Sequence, residues 1–240
     1  FAHPYDSKGM VTDTVIDNNI IRDTGFDYLQ ATGININPSN RTTISNNDVD
    51  YTAWAGIHTR MQVKGSYTQS NTDTNLDIGN CYITSNKTGS GIAWAYIYGA
   101  KDNGAFYSFG PTNSTIIWNF VEENHCSNAF YNDNDSYANK WIENVGIGKW
   151  EMSPRSADPR TIVNHGNFGY GEPPDPHNCS LTDYTSLESA DPQDWPAEAQ
   201  RIAAKAGLQP EFRQLLELVP AMPNYAYLKK EIDELSSLAS

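Results

Sequence analysis

The sequence predicts an all-β chain wound as a parallel β-helix, a solenoid with a C-terminal wrap and short helices. Three observations carry this. Residues 11–170 are rich in Asn, Gly, Thr, Ile and aromatics and poor in Leu, Lys and Glu, a composition that disfavours helix. An Ile-x-Asn pattern recurs at Ile16/Asn18, Ile44/Asn46, Ile78/Asn80, Ile117/Asn119, Ile142/Asn144 and Ile162/Asn164, in steps of 28, 34, 39, 25 and 20 residues. A second pattern sits between these copies: Gly33-Ile34, Gly56-Ile57 and Gly91-Ile92, then Ala105-Phe106-Tyr107 and Ala129-Phe130-Tyr131.

A repeat of this length with short β-rich stretches suits one solenoid coil per copy. Each Ile is expected to stack on its counterpart one coil away, about 4.8 Å distant. The Asn that follows is expected at the bend, where it tolerates left-handed geometry and can hydrogen-bond the Asn above and below. Uneven steps fit insertions that loop outward without disturbing the stack. An antiparallel sandwich would need hairpin signals, and the nearest to one is Asp102-Asn-Gly. Residues 1–170 are therefore read as coils and 171–240 as a loop and helical cap. In the tail, Trp195–Gly207 reads as a helix with Pro196 in its first turn and Gly207 as its stop. Pro210–Leu218 reads as a second short helix. Tyr225–Leu238 reads as a third, with Leu228, Ile232 and Leu235 on one stripe. The tail is expected to cover an open solenoid end, whose backbone would otherwise be unpaired.

Length and charge bound the function. The 240 residues are 38% hydrophobic and 19% charged, enough for a sizeable core, and the net charge is 16 − 29 = −13. Such a chain repels phosphate backbones and anionic lipid, so neither nucleic acid nor membrane is expected as a partner. No apolar run approaches the roughly 18–20 residues of a membrane span. The first residue is Phe1, so the chain is expected to be a processed or trimmed piece of a longer one. Cys81, Cys126 and Cys179 contain no Cys-x-x-Cys pair, and at most one internal disulfide can form. Five sequons mark Asn40, Asn86, Asn113, Asn134 and Asn178 as glycosylation candidates, against about four expected by chance in so Asn-, Ser- and Thr-rich a chain.

Asp102-Asn-Gly-Ala-Phe-Tyr, Ser114-Thr-Ile-Ile-Trp-Asn, Ala129-Phe-Tyr-Asn-Asp133-Asn-Asp135-Ser and Trp141-Ile-Glu-Asn-Val follow one another in an order that resembles right-handed β-helix carbohydrate-active proteins. Trp195-Pro-Ala-Glu-Ala-Gln-Arg-Ile and Ala206-Gly-Leu-Gln-Pro-Glu-Phe-Arg-Gln-Leu are similar to the segment that closes many of them. These motifs resemble those of glycoside hydrolase family 141 and similar β-helix hydrolases, and the resemblance covers about residues 11–218. It implies a right-handed coil, secretion, a polysaccharide or oligosaccharide substrate and no cofactor. It also implies two Asp residues in adjacent coils as catalytic acid and nucleophile or base. Asp102 matches the first position and Asp133 the second, with Asp135 as its rival. The relatives carry more coils ahead of this stretch. N-terminal coils are therefore expected to be missing here, and an upstream fragment of the same precursor or another copy is expected to cover the first coil.

The residues themselves point the same way. Aligning the two Ala-Phe-Tyr copies, with Phe106 and Phe130 inward, turns Tyr107 and Tyr131 outward. His58 joins that column and Arg60 follows on its face. Asp133 shares the face if the strand continues, and Asp102 enters from the preceding turn. Glycoside hydrolysis needs two flanking carboxyls, about 5–5.5 Å apart for retention or about 6.5–9.5 Å for inversion. Adjacent coils favour the shorter spacing. Tyr107, Tyr131, Trp54, Trp94 and Trp118 suit stacking on sugar faces. Asp133-Asn-Asp135-Ser opens like a calcium-binding EF-hand loop. The required Gly and Glu positions hold Ala138 and Asn144, so that loop fails and only calcium of another type stays open. The competing readings are a non-catalytic β-helix with a structural, assembly or glycan-binding role, and a polysaccharide lyase. A lyase would want a basic residue that the coils mostly lack.

Overall fold

The computed structural model describes residues 11–24, 31–37, 39–52, 54–60, 75–84, 104–122, 128–133, 136–152, 161–174 and 179–218. They are mostly β, and every strand pairing is parallel. Three sheets dominate. The first has seven strands: Val15–Asp17, Thr43–Ser45, Asp77–Gly79, Thr115–Ile117, Lys140–Ile142, Ile162–His165 and Cys179–Thr182. The second also has seven: Ile20–Thr24, Asp48–Thr52, Tyr82–Thr84, Phe120–Glu122, Val145–Ile147, Phe168–Tyr170 and Thr185–Ser186. The third has five: Thr32–Ile36, Ala55–Arg60, Phe106–Phe109, Phe130–Asn132 and Trp150–Met152. The chain visits first, second and third sheets in turn, and each strand lies beside its counterpart from the round before. The last two strands of the first and second sheets fall at 179–186, inside the stretch expected to be loop and helix.

Sequence explains the sharp corner between the first two sheets. It is made by one left-handed residue per round: Asn18, Asn46, Asn80, Trp118, Glu143, Gly166 and Asp183, with φ between +51° and +63°. The next residue turns inward. Asn19, Asn47, Asn119, Asn144 and Asn167 form an amide column at this position, with Cys81 in the third place. Asn144 Oδ1 accepts from Asn119 N and Nδ2, both at 3.0 Å, while Asn144 Nδ2 donates to Ile116 O and Asn167 Oδ1. Asn167 Nδ2 closes on Trp141 O at 2.7 Å. Each amide thus satisfies the backbone that the corner leaves unpaired.

The expected Ile column is correct for three rounds and fails in the next three; the last expected member, Ile162, is buried but lies two residues before Asn164, which pairs with Trp141. Ile16 pairs with Ile44 and Ile44 with Ile78, but Ile78 pairs with Ile116, and Ile116 with Trp141. Ile117 and Ile142 lie on the outer side, half-buried. The reason is the corner. In the early copies the Asn of Ile-x-Asn is the left-handed residue, whereas Asn119 and Asn144 are the inward one, after Trp118 and Glu143. A one-residue slip moves a side chain to the other face.

Inside, Ile34, Ile57, Phe106, Phe130 and Trp150 make the third sheet's inward column, matching the register of the second sequence pattern; Gly91-Ile92 falls outside the described residues. Phe106 and Phe130 ring centroids are 5.9 Å apart, and Phe130 and Trp150 4.2 Å. Fully burying rings of this size is worth about 2–3 kcal/mol each.

The tail helix spans Ala197–Lys205, capped at Pro196 and stopped before Gly207, whose φ is +87°. Its buried Ala199 and Ile202 pack on Phe120, Val145, Ile147 and Phe168, with Leu187 and Trp195 completing the layer. Gly207 N donates to Asn80 O at 2.8 Å, and Gln209 and Asn18 exchange two hydrogen bonds of 2.9 and 3.0 Å. The described tail therefore runs along the flank of the second sheet back to the first round, where the sequence reading expected it over an open end. The second expected helix is a 3-10 turn, Pro210–Phe212, and one α-turn, Leu215–Leu218. The third lies outside the described residues. No described helix is long and apolar enough to cross a membrane.

Candidate functional site

The outward column of the third sheet is Asn35, His58, Tyr107, Tyr131 and Glu151, one residue per round in exact register. Strand alternation puts them there, because Ile34, Ile57, Phe106, Phe130 and Trp150 claim the core. The rings stack: His58 on Tyr107 at 5.0 Å and 18°, Tyr107 on Tyr131 at 4.9 Å and 16°. Trp54 meets His58 and Tyr107 edge-on, at 4.8 and 5.1 Å. Asp133, two residues beyond Tyr131, turns its carboxyl back one round: the Tyr107 hydroxyl donates to Asp133 Oδ2 at 2.7 Å. Asp133 is held from the backbone too, its N–H donating to Ser108 O at 2.8 Å.

Burial distinguishes these residues from an open sugar platform. His58, Tyr107 and Asp133 are each 6% exposed, Tyr131 and Trp54 are half-buried, and Arg60 is exposed. The sequence expected His58 and Tyr107 on the surface. They point away from the core, yet their ring faces are taken by each other. Desolvation, followed by the charge of Arg60, holds the His58 pKa down to about 4, so its ring is neutral at neutral pH. His58 Nδ1 lies 3.1 Å from Asn35 Oδ1, which orients the ring.

Asp133, His58, Arg60, Tyr107 and Tyr131 are thus brought to one face. Asp102 and Asp135 lie outside the described residues, as do Trp94, Asn86, Asn134, Asn178 and Cys126. Of the other glycosylation candidates, Asn113 is exposed at a left-handed bend and donates to Asn75 Oδ1 at 2.7 Å, while Asn40 is half-buried. Cys81 is buried and free, its thiol pushed up to about 11 by desolvation, and Cys179 is half-buried. Among the described residues no group of three His, Cys, Asp or Glu side chains is arranged to hold a metal ion.

Two features escaped sequence reasoning. Asn35 was legible from Gly33-Ile34-Asn35 aligned on Gly56-Ile57-His58. The other is a buried charge cluster on the outer face of the second sheet. Arg22 grips Asp48 at 2.8 Å and Asp50 at 2.7 Å, and beside them the Tyr82 hydroxyl donates to Glu122 at 2.7 Å. Burial and the Glu122 charge push the Tyr82 hydroxyl pKa up. Its only signal was Asp-x-Asp alternation in Asp48-Val-Asp50, a pattern that says nothing about a partner.

No family model matches the chain, and no curated protein matches it. Among solved structures, one described as a glycoside hydrolase is similar, with a TM-score of 0.56 and 16% identity, over 88% of this chain and 31% of that one. The chain thus spans about a third of that protein's length. At this identity the likeness is one of fold.

Proposed function

We propose that the chain is a right-handed parallel β-helix from a secreted glycoside hydrolase acting on a polysaccharide, with its site along the outward face of the third sheet. Three parallel sheets visited in fixed order support the helix, and so does the similarity to a solved glycoside hydrolase. The observation that carries the site is the Tyr107–Asp133 hydrogen bond, which fixes a carboxyl on a column of stacked rings. Asp133 serves as one of the two carboxyls and Asp102, from the adjacent coil, as the other. Tyr131, Trp54 and Arg60, at the accessible rim, meet the sugar, and Tyr107 positions Asp133. Strands from an upstream fragment or a second copy continue the first sheet beyond Val15–Asp17, where Val15 is 68% exposed.

The near-complete burial of Asp133 and Tyr107 favours one second reading, a glycan-binding module without hydrolysis. Sugar release from a polysaccharide panel separates the two. Asp133→Asn and Asp102→Asn should each remove nearly all release with the fold intact by circular dichroism. Loss in Asp135→Asn with activity kept in Asp133→Asn would move the role to Asp135. Binding without release by the unaltered chain would establish the second reading.

A further inference from the structure

Two residues at the corner between the first and second sheets break the rule their neighbours keep. The left-handed position holds Asn in the first three rounds, at Asn18, Asn46 and Asn80, then Trp118 with φ +57° and Glu143 with φ +51°. Asn adopts this conformation readily because its short amide bonds locally, whereas a bulky aromatic there is an outlier. Burial does not repay the exception, since Trp118 is 39% exposed. A strained, exposed tryptophan where the local pattern offers Asn is the kind of rule-breaking that marks function.

The surroundings give the ring a fixed pose. Trp118 Nε1 donates to Glu143 Oε2, one round on, at 2.7 Å. That bond satisfies the indole's polar edge and anchors it. The following corner residue is Gly166, and a Cβ added there would come within 3.3 Å of Glu143 Cγ, so the missing side chain leaves the carboxylate room.

We propose that Trp118 and Glu143 form a second, non-catalytic sugar-binding platform, at the corner between the first two sheets rather than on the third. Its ligand is a neutral pyranoside, a choice of class that rests on the carbohydrate reading above. The indole presents an apolar face to the C–H face of a sugar ring. The Glu143 carboxylate accepts from hydroxyls. Glu143 is an anion on a chain of net charge −13, so uronate polymers are repelled.

The test uses the full chain labelled with 5-fluorotryptophan, the Trp118 resonance being assigned by its loss in Trp118→Asn. The probes are cellohexaose, xylohexaose, laminarihexaose and hexagalacturonate. The Trp118 resonance should move with at least one neutral hexasaccharide, equally in the unaltered chain and in Asp133→Asn, and stay still with hexagalacturonate. Glu143→Ala should weaken that titration about tenfold, the worth of one charge-assisted sugar contact. Trp118→Asn should unfold at the same or a higher temperature, since Asn suits the corner. A resonance unmoved by all three neutral probes, or a lower unfolding temperature in Trp118→Asn, would overturn the platform. Unchanged sugar release in Asp133→Asn together with a moving Trp118 resonance would remove Asp133 from the catalytic pair and leave the platform standing.

Discussion

Two columns of this molecule repeat once per round and do opposite things. The inward corner column is amide after amide, broken by Cys81 and ended by Tyr184, and each of its Asn residues from Asn47 to Asn167 bonds backbone or amide in a neighbouring round. The outward column of the third sheet changes at nearly every step: Asn35, His58, Tyr107, Tyr131, Glu151. Uniformity belongs to the column that propagates the parallel stack, because any round can follow any other if each presents the same donor and acceptor. Variety belongs to the column beside Asp133, where stacking satisfies the rings and leaves the chemistry free to differ. The first column is expected to answer in stability, the second in pH response and activity.

The largest effect should come from Asn144→Ala. It leaves the Asn119 N–H and the Ile116 carbonyl buried and unpaired, and about 3–5 kcal/mol should be lost in urea unfolding. If the substitution costs under ~1 kcal/mol, the amide column is ornament rather than structure.

Next is the pH response of His58. The unfolded ring takes up its proton near the ordinary value, while the folded ring resists until about 4. Stability contributed by the neutral ring is therefore intact above about pH 6.5 and lost as pH falls through 4, on the order of 3 kcal/mol in all. His58→Asn should flatten that slope in unfolding curves taken from pH 7 to 4. An unaltered slope would assign the acid sensitivity to other groups.

Tyr107→Phe keeps the stack and removes the hydroxyl that donates to Asp133. A loss of about 1–2 kcal/mol is expected, with a fall in kcat larger than any change in KM, because the carboxyl loses its positioning. Smallest of the four is Cys81→Asn. Asn47 Nδ2 donates to Ile16 O at 3.0 Å, but toward the next round it meets the weak acceptor Cys81 Sγ at 3.9 Å. Completing the amide column should stabilise by about 1 kcal/mol, seen as a raised denaturant midpoint. Destabilisation there would mean that the third round has no space for an amide.

Much of this contrast was legible in residue spacing. Ala105-Phe-Tyr and Ala129-Phe-Tyr carry their register openly, since a core aromatic and an outward one alternate in both copies. Asn18-Asn19 and Asn46-Asn47 hid a division of labour: the first Asn turns the chain and the second bonds the next round. Trp118-Asn119 and Glu143-Asn144 separate those roles, and reading every Asn as the turning residue moved Ile117 and Ile142 onto the wrong face. Burial was less legible. Nothing local to His58 or Tyr107 announces that their ring faces are taken by neighbours a round away. The tail's path was not legible either, because the apolar stripe of Ala199 and Ile202 fits any apolar flank and only Gly207 and Gln209 fix where it lies.

The central claim, that the third sheet's outward face is where carbohydrate is handled, is tested most directly by a crystal structure of the chain carrying Asp133→Asn, soaked with an oligosaccharide it binds. A sugar should lie across the Tyr131, Trp54 and Arg60 rim, with the residue 133 side chain and the Asp102 carboxyl on either side of one glycosidic bond. Residue 133 and Asp102 side chains more than about 10 Å apart, or facing opposite ways, or no sugar along that face, would contradict it.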